Sequence, residues 1–384
     1  MSTPIPKARP MRVAVVGATG FQGGAVARLL AERQHLVRTL TRRPDGDRPP
    51  LPGAEFTPGG LGDPAAVLRL FEGVTHAFVT MPLVYDAARV RRYAANVARA
   101  AREAGVERLV FNANTRVPQA PTPVPAFETR RIAEEVFRAS GVPLVVLRPP
   151  VYLDNLFSPF NGPELVDDGV LAYPLPEALP TAWLSHRDLA EAACAALARD
   201  GLTGRSFDIG GAVTLTGEAL AEAFGRGLGR SVRYVPLRPE VFERSLAQLA
   251  GPETAAGVAG IYHYLAAGSD PLLLAGDDGE SAEALGVVPA SVEEWVARQP
   301  WQVWAADMEG ARNAKYAGNA GNTGNAGNTG NAGNAEDIAA PENAASIANA
   351  VNPGHTGPNE RTEHTGRAQD TDGEPGEDAE EQPA

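Results

Sequence analysis

Between residues 11 and 147 the chain alternates short, apolar-rich runs with longer stretches in which apolar positions recur every three or four residues. The runs at 11–16, 36–41, 76–80, 109–113 and 144–147 have the length of strands, and 55–58 is a shorter strand-like run. Helical spacing falls at about 21–32, 64–71, 85–103 and 126–140. This alternation predicts an α/β fold with a parallel sheet, right-handed crossovers and helices on both faces. Beyond Pro150 the rhythm loosens. A helix at 188–198, a strand at 206–209 and helices near 216–227 and 240–249 are expected, in a smaller helical lobe ending near Gln302.

The composition changes after Trp304. Residues 318–335 are Gly-Asn-Ala and Gly-Asn-Thr triplets, and the chain from there to Ala384 is rich in Asn, Gly, Pro, Thr and acid. Glycine at every third place has the collagen period, without the prolines a triple helix needs. Such a segment buries too little apolar area to offset its ordering entropy, so a disordered low-complexity acidic tail is expected at 313–384. The tail holds 12 acids and three bases, which assigns to it −9 of the net charge of −13. A solubilising appendage and a partner-binding tail both suit that composition.

Other features mainly exclude. A hydrophobic fraction of 43% beside 21% charged residues suits a folded globular core. One cysteine excludes an intramolecular disulfide framework and a multi-cysteine metal site, and His263 has no ligand-spaced partner, so no metal is expected. Net acidity argues against nucleic acid as the main partner. No run of 18 apolar residues offers a membrane span. The first ten residues, MSTPIPKARP, read as a flexible N-terminus without the apolar stretch of a secretory signal, so a cytoplasmic location is expected.

The candidate chemistry begins at the first strand–helix junction, Gly17-Ala18-Thr19-Gly20-Phe21-Gln22-Gly23-Gly24. Glycines at 17, 20 and 23 allow a tight turn and a close backbone approach to a pyrophosphate, with the helix N-terminus aimed at the anion. Thr19, Phe21 and Gln22 belong to the same cradle; a purely structural glycine turn is the alternative. An NAD site places an acid about 20 residues beyond such glycines. Here Arg42 and Arg43 end the second strand instead. Two guanidinium forks suit a 2′-phosphate, which points to NADP(H) over NAD(H); an exposed basic turn is the other reading. Asp63 is either an acceptor for the adenine amino group or the N-cap of the helix beginning at Pro64.

With these pieces, the chain resembles the NmrA-like branch of the atypical short-chain dehydrogenases. The matching segments are GATGFQGG at 17–24, TRRP at 41–44, ETRRIAEEVFRASGVPLVVLRPPVYLDNL at 128–156, WLSHRDLAEAA at 183–193, FDIGG at 207–211 and ALGVVPASVEEWV at 284–296. The resemblance implies a Rossmann dinucleotide-binding core at 11–157, completed by 182–214, and a smaller substrate lobe at 158–302. It implies one of two functions. The first is an NADP(H)-binding oxidoreductase that reduces a small quinone-like or carbonyl substrate. The second is a catalytically silent redox sensor acting through a protein partner.

Short-chain dehydrogenases use Ser and Tyr-x-x-x-Lys for proton transfer. The resemblance places Asn112 at the Ser position, Ala126 at the Tyr position and Arg130 at the Lys position. Asn112 could donate to a developing oxyanion but carries no acidic proton. Arg130 stays charged and could fix the nicotinamide ribose or an anionic group; a solvated helix face is the alternative. Tyr152 and Asn155 fall where the family lines its substrate cleft, or form a structural turn. His186 reads as a structural histidine more readily than a cleft residue, Asp188 as a helix cap, Cys194 as a small packed residue, and Trp295, Trp301 and Trp304 as lobe packing.

Overall fold

The computed structural model describes residues 10–42, 51–277 and 279–305, so Arg43, residues 1–9 and the tail at 313–384 lie outside the described residues. The apolar runs become strands because each has two faces to cover. β1 (Arg12–Val16) turns Val13 and Val15 to one face and Ala14 and Val16 to the other, all four buried. There follow α1 (Phe21–Glu32), β2 (Leu36–Thr41), β3 (Glu55–Pro58), α2 (Pro64–Phe71), β4 (His76–Thr80), α3 (Ala87–Glu103) and β5 (Arg108–Asn112). Next come α4 (Pro125–Ala139), β6 (Leu144–Leu147), α5 (Gly162–Asp168), β7 (Val170–Tyr173), α6 (His186–Ala198) and β8 (Ser206–Phe207).

Seven strands form one parallel sheet in the order β3-β2-β1-β4-β5-β6-β8. Helices α1 and α6 cover one face through Val26, Leu30, Leu189 and Ala193. Helices α2, α3 and α4 cover the other through Leu70, Val97 and Phe137. This is a Rossmann-type α/β core. The strand order reverses between β1 and β4, which opens a crevice at their carboxyl ends.

The lobe is built from α7 (Gly217–Leu228), β9 (Arg233–Pro236), α8 (Pro239–Ala250), α9 (Pro252–Ala266), α10 (Glu280–Leu285) and α11 (Val292–Ala297). Trp295, Trp301, Trp304, Phe157 and Phe224 meet edge-on or tilted, with ring centroids 5.0–6.1 Å apart, and form its core.

Three details differ from the expectation. The lobe is not wholly helical: β7 and β9 pair in parallel, Val170 opposite Arg233 through Tyr173 opposite Pro236. Each strand has four residues and its partner lies some sixty residues away, so no local period announces it. β8 stops at Phe207 rather than 209, because the Asp208 and Ile209 carbonyls accept from the Arg116 guanidinium at 3.0 and 3.2 Å. α3 starts at Ala87 rather than 85, because the Asp86 carboxylate caps it by accepting from the Arg89 N–H. Tyr85 is thereby left in the loop after β4.

Arg116 is 5% exposed and also donates to the Leu273 and Ala275 carbonyls, so one side chain ties the end of β8 to the 273–275 turn. Leaving buried carbonyls without donors costs about 1–3 kcal/mol each. Arg116→Ala is therefore expected to lose at least about 3 kcal/mol of stability, read as a lower urea midpoint, with an unchanged far-ultraviolet spectrum in the absence of denaturant.

Candidate functional site

Gly17 leaves β1 with φ +89°, a conformation that side chains rarely adopt, and sits against the Thr80 carbonyl at the end of β4. Its carbonyl accepts from the Gly20 N–H at 3.0 Å and closes the turn through Ala18 and Thr19. Gly23, in the first turn of α1, lies over that turn: a Cβ there would stand 2.3 Å from the Gly17 oxygen. Gly20 is the N-cap of α1, without a side-chain cap and with no acid in the first turn. The leading N–H groups of Phe21, Gln22 and Gly23 thus face the crevice with no anionic side chain of their own helix to satisfy them.

Beneath the loop runs a polar chain. The Asn112 amide donates to Gln22 Oε1 at 2.7 Å and to the Thr80 hydroxyl at 3.3 Å, and its oxygen accepts from the Asn114 N–H. Gln22 Oε1 also accepts from the Tyr152 hydroxyl at 3.2 Å. The Tyr152 ring lies tilted against His186 at 4.7 Å, and Phe21 stacks on the same imidazole at 5.9 Å. His186 faces Asp154, with Nδ1 to Oδ1 at 3.2 Å and its backbone N–H donating to Oδ2 at 2.8 Å. Burial acts to raise the Asp154 carboxyl, but the His186 charge and the hydrogen bonds outweigh it and hold the group below its usual range. Burial, helped by the Asp154 charge and opposed by a hydrogen bond with Asn112, pushes the Tyr152 phenol well above its usual value.

Each expected site residue other than Arg43, which lies outside the described residues, now has a place. Gly17, Thr19, Gly20, Phe21, Gln22 and Gly23 form the loop and the start of α1, but the Gln22 side chain is an internal hub and the Phe21 ring packs on His186. Arg42 is exposed at the end of β2, its stem along Gly60. Of the two readings of Asp63, the cap is realised: Oδ1 accepts from the Ala65 and Ala66 N–H groups at 2.9 and 3.2 Å. Asn112 is fully buried with both amide protons engaged, so it is a positioning residue and not an oxyanion donor. Arg130 is 3% exposed and so is no solvated helix residue. Its Nη2 donates to the Pro82 carbonyl at 3.3 Å, while Nη1 is buried without a partner. Tyr152 is buried behind the loop. Asn155 is exposed and donates to the Tyr173 hydroxyl at 3.1 Å.

His186 and Asp188 are structural. The Ser185 hydroxyl caps α6 by accepting from the Asp188 N–H, and the Asp188 carboxylate accepts from the Ala290 N–H and the Ser185 hydroxyl. Burial pushes the Cys194 thiol up to about 12, which suits a packed residue and not a nucleophile. The sequence reading passed over Asn114 and Tyr85. Asn114 adopts φ +65°, donates to the Met81 carbonyl and leaves Oδ1 buried without a partner. Asn114 lies two residues after β5 and Tyr85 five residues after β4, and that place beyond the carboxyl ends of adjacent strands was the available signal. Among the described residues, no group of three or more His, Cys, Asp or Glu is placed to hold a metal, and no helix is long and apolar enough to cross a membrane.

The model of the NmrA-like family matches residues 10–264. The chain belongs to the NmrA-like family. Among curated relatives, an NAD(P)H azoreductase from Xenophilus azovorans is 29% identical over 246 residues, 64% of this chain and 83% of that one. A (4-alkanoyl-5-oxo-2,5-dihydrofuran-3-yl)methyl phosphate reductase from Streptomyces griseus is 29% identical over 299 residues, covering 77% of this chain and 97% of that one. Among solved structures, an NADPH-dependent quinone oxidoreductase from Escherichia coli, complexed with NADPH, shares the fold with a TM-score of 0.57 and 21% identity, over 74% of this chain and 98% of that one. This NmrA-like chain departs from the short-chain dehydrogenase pattern by burying Ala126 and Arg130 where a tyrosine and a lysine would stand.

The Asp154–His186 pair gives a pH test. A depressed carboxyl stabilises the fold above its unfolded value of about 3.9, and that contribution is lost as pH falls through the lower folded value. Besides His186, Arg28 on α1, Tyr152 and Asp188 on α6 sense the Asp154 charge. Asp154→Asn is expected to lose about 1–3 kcal/mol of stability at pH 7, read as a lower urea midpoint, and the gap from wild type should close as pH falls below about 4.

Proposed function

We propose that the chain is an NADP(H)-binding oxidoreductase that reduces a small, flat acceptor, quinone-like or carbonyl-bearing. The observation that carries this reading is the β1–α1 cradle, where a Cβ on Gly23 would fill the turn. Its residues fit a pyrophosphate by shape and by charge. The leading N–H groups of α1 would hold the phosphates, and Arg42 with Arg43 would take the 2′-phosphate. The orphaned Asn114 Oδ1 at the crevice suits an amide donor such as a carboxamide. When bound, the reduced nicotinamide supplies hydride. The protein's part is to position: Asn112 and Tyr152 lock Gln22, and Gln22 fixes the start of α1 beneath the cofactor. Relatives named as NAD(P)H-using and reductive support the class of reaction, and the acceptor is our own inference. A flat, electron-poor ring needs less simultaneous proton assistance than an ordinary ketone, which suits a site whose Asn112 amide is already engaged.

A second reading, a silent NADP(H) sensor acting through a protein partner, is favoured by Ala126 and Arg130 in place of the Tyr–Lys pair. The two part on one assay. NADPH consumption with quinones supports the enzyme; tight NADPH binding with no acceptor reduced supports the sensor.

The cofactor preference is testable by fluorescence titration. NADPH should bind more tightly than NADH, and Arg42→Ala/Arg43→Ala should abolish most of the difference, since charge-assisted bonds contribute about 1.5–3 kcal/mol each. A wild type without preference would remove the 2′-phosphate assignment. In an acceptor panel, quinone reduction should be measurable, and NADP⁺-linked oxidation of simple secondary alcohols should be undetectable for want of a base, a loss of about 10²–10⁴ in rate.

A further inference from the structure

The oxidoreductase reading leaves the proton unassigned. Asn112 has no acidic proton, Arg130 stays charged, and Tyr152 spends its hydroxyl on Gln22. Of the other tyrosines of the lobe, Tyr173 and Tyr262 share one hydrogen bond of 2.6 Å, Tyr234 donates to the Leu175 carbonyl at 2.9 Å, and Tyr264 packs edge-on against Phe127 at 5.3 Å.

Tyr85 differs from all of these. It belongs to the loop directly after β4, the strand whose end meets Gly17 across the switch point. Asp86 ends the loop by capping α3, which keeps Tyr85 out of the helix. Its ring lies flat on α9 at Gly257, where a Cβ would come within 2.0 Å of the ring. A glycine inside a helix costs about 0.5–1 kcal/mol relative to alanine, and here the aromatic ring takes the space. The same loop carries Pro82, whose carbonyl accepts from Arg130, and the buried second arm of that guanidinium has no partner. Burial raises the Tyr85 phenol to about 12, with the Arg130 charge acting against the rise. It is therefore protonated at neutral pH, a donor and not a base.

We propose that Tyr85 is the general acid of this site, with Arg130 as its cationic neighbour: a Tyr–Arg pair assembled from the β4 loop and α4 in place of the Tyr–Lys pair of short-chain dehydrogenases. The inference rests on the oxidoreductase reading above. The substrate class is an acceptor that develops an oxyanion, a quinone or conjugated carbonyl. As hydride from the reduced nicotinamide reaches the acceptor, the Tyr85 O–H bond breaks and its proton goes to the acceptor oxygen. The acceptor gains two electrons and two hydrogens, the nicotinamide is oxidised, and solvent water restores the phenol. Arg130 stabilises the transient phenolate without exchanging a proton.

The test pairs turnover with a binding readout that needs none. Tyr85→Phe keeps the ring on Gly257, so its thermal midpoint and NADPH affinity should match wild type. Its kcat for quinone reduction should fall about 10²-fold or more, with loss of the solvent deuterium isotope effect. In the NADP⁺-loaded protein, 4-nitrophenol, followed by its phenolate absorbance, should bind about tenfold more weakly to Tyr85→Phe. Arg130→Lys should retain that binding, and Arg130→Gln should weaken it. A Tyr85→Phe variant with wild-type kcat, or with wild-type nitrophenolate affinity, would overturn the assignment while leaving the oxidoreductase reading intact. A wild type that binds NADPH and reduces no acceptor would overturn the oxidoreductase reading, and the acid with it.

Discussion

The turn leaving β1 passes directly under the first turn of α1, so that Gly17 and Gly23 are in backbone contact. With 2.3 Å between the Gly17 oxygen and the place of a Cβ, only hydrogen fits there. That contact sets the angle at which α1 leaves the sheet, and so where its free N–H groups point. It also holds Gly17 against Thr80, so that the ends of β1 and β4 form the floor of the crevice. The polar residues around the crevice are arranged about this turn.

The chain from Asn112 through Gln22, Tyr152 and His186 to Asp154 supports the turn from below. It links β5, α1, the segment after β6 and the start of α6, elements whose residues lie up to about 160 positions apart. Its members are mostly buried, and the polar atoms that face one another along it are paired, which is the condition for such a network to stabilise. Two groups beside it differ. Asn114 Oδ1 and Arg130 Nη1 are buried without a partner. They mark the side on which a ligand would complete the site. The lobe approaches from that side, with α9 bringing Gly257 onto the Tyr85 ring.

Much of this was legible in the sequence. The parallel sheet follows from apolar runs separated by amphipathic stretches. The cradle follows from glycines at 17, 20 and 23, because a backbone that must turn and then touch an anion tolerates few other residues. The cap at Asp63 was one of two readings, and the proline after it supplied a local reason for the one realised. Residues such as these act through their own backbone or their immediate neighbours, and local sequence records that.

The roles of Asn112, Arg130 and Tyr85 could not be read that way. The resemblance put Asn112 at the Ser position of short-chain dehydrogenases, yet its hydrogen bonds with Gln22 and Thr80 make it a strut. Arg130 carried the pattern of a solvated helix face beside Arg131 and Glu134, yet Pro82 and the β4 loop cover it. Tyr85 read as the first residue of a helix until the Asp86 cap placed it in the loop against α9. The β7–β9 pair was hidden for the same cause. Local spacing determined the elements and the glycine turn, since helix and strand periods and turn conformations arise within a few residues. Burial, partners and charge environment were decided only by tertiary structure, since they depend on side chains that folding brings together from remote parts of the chain.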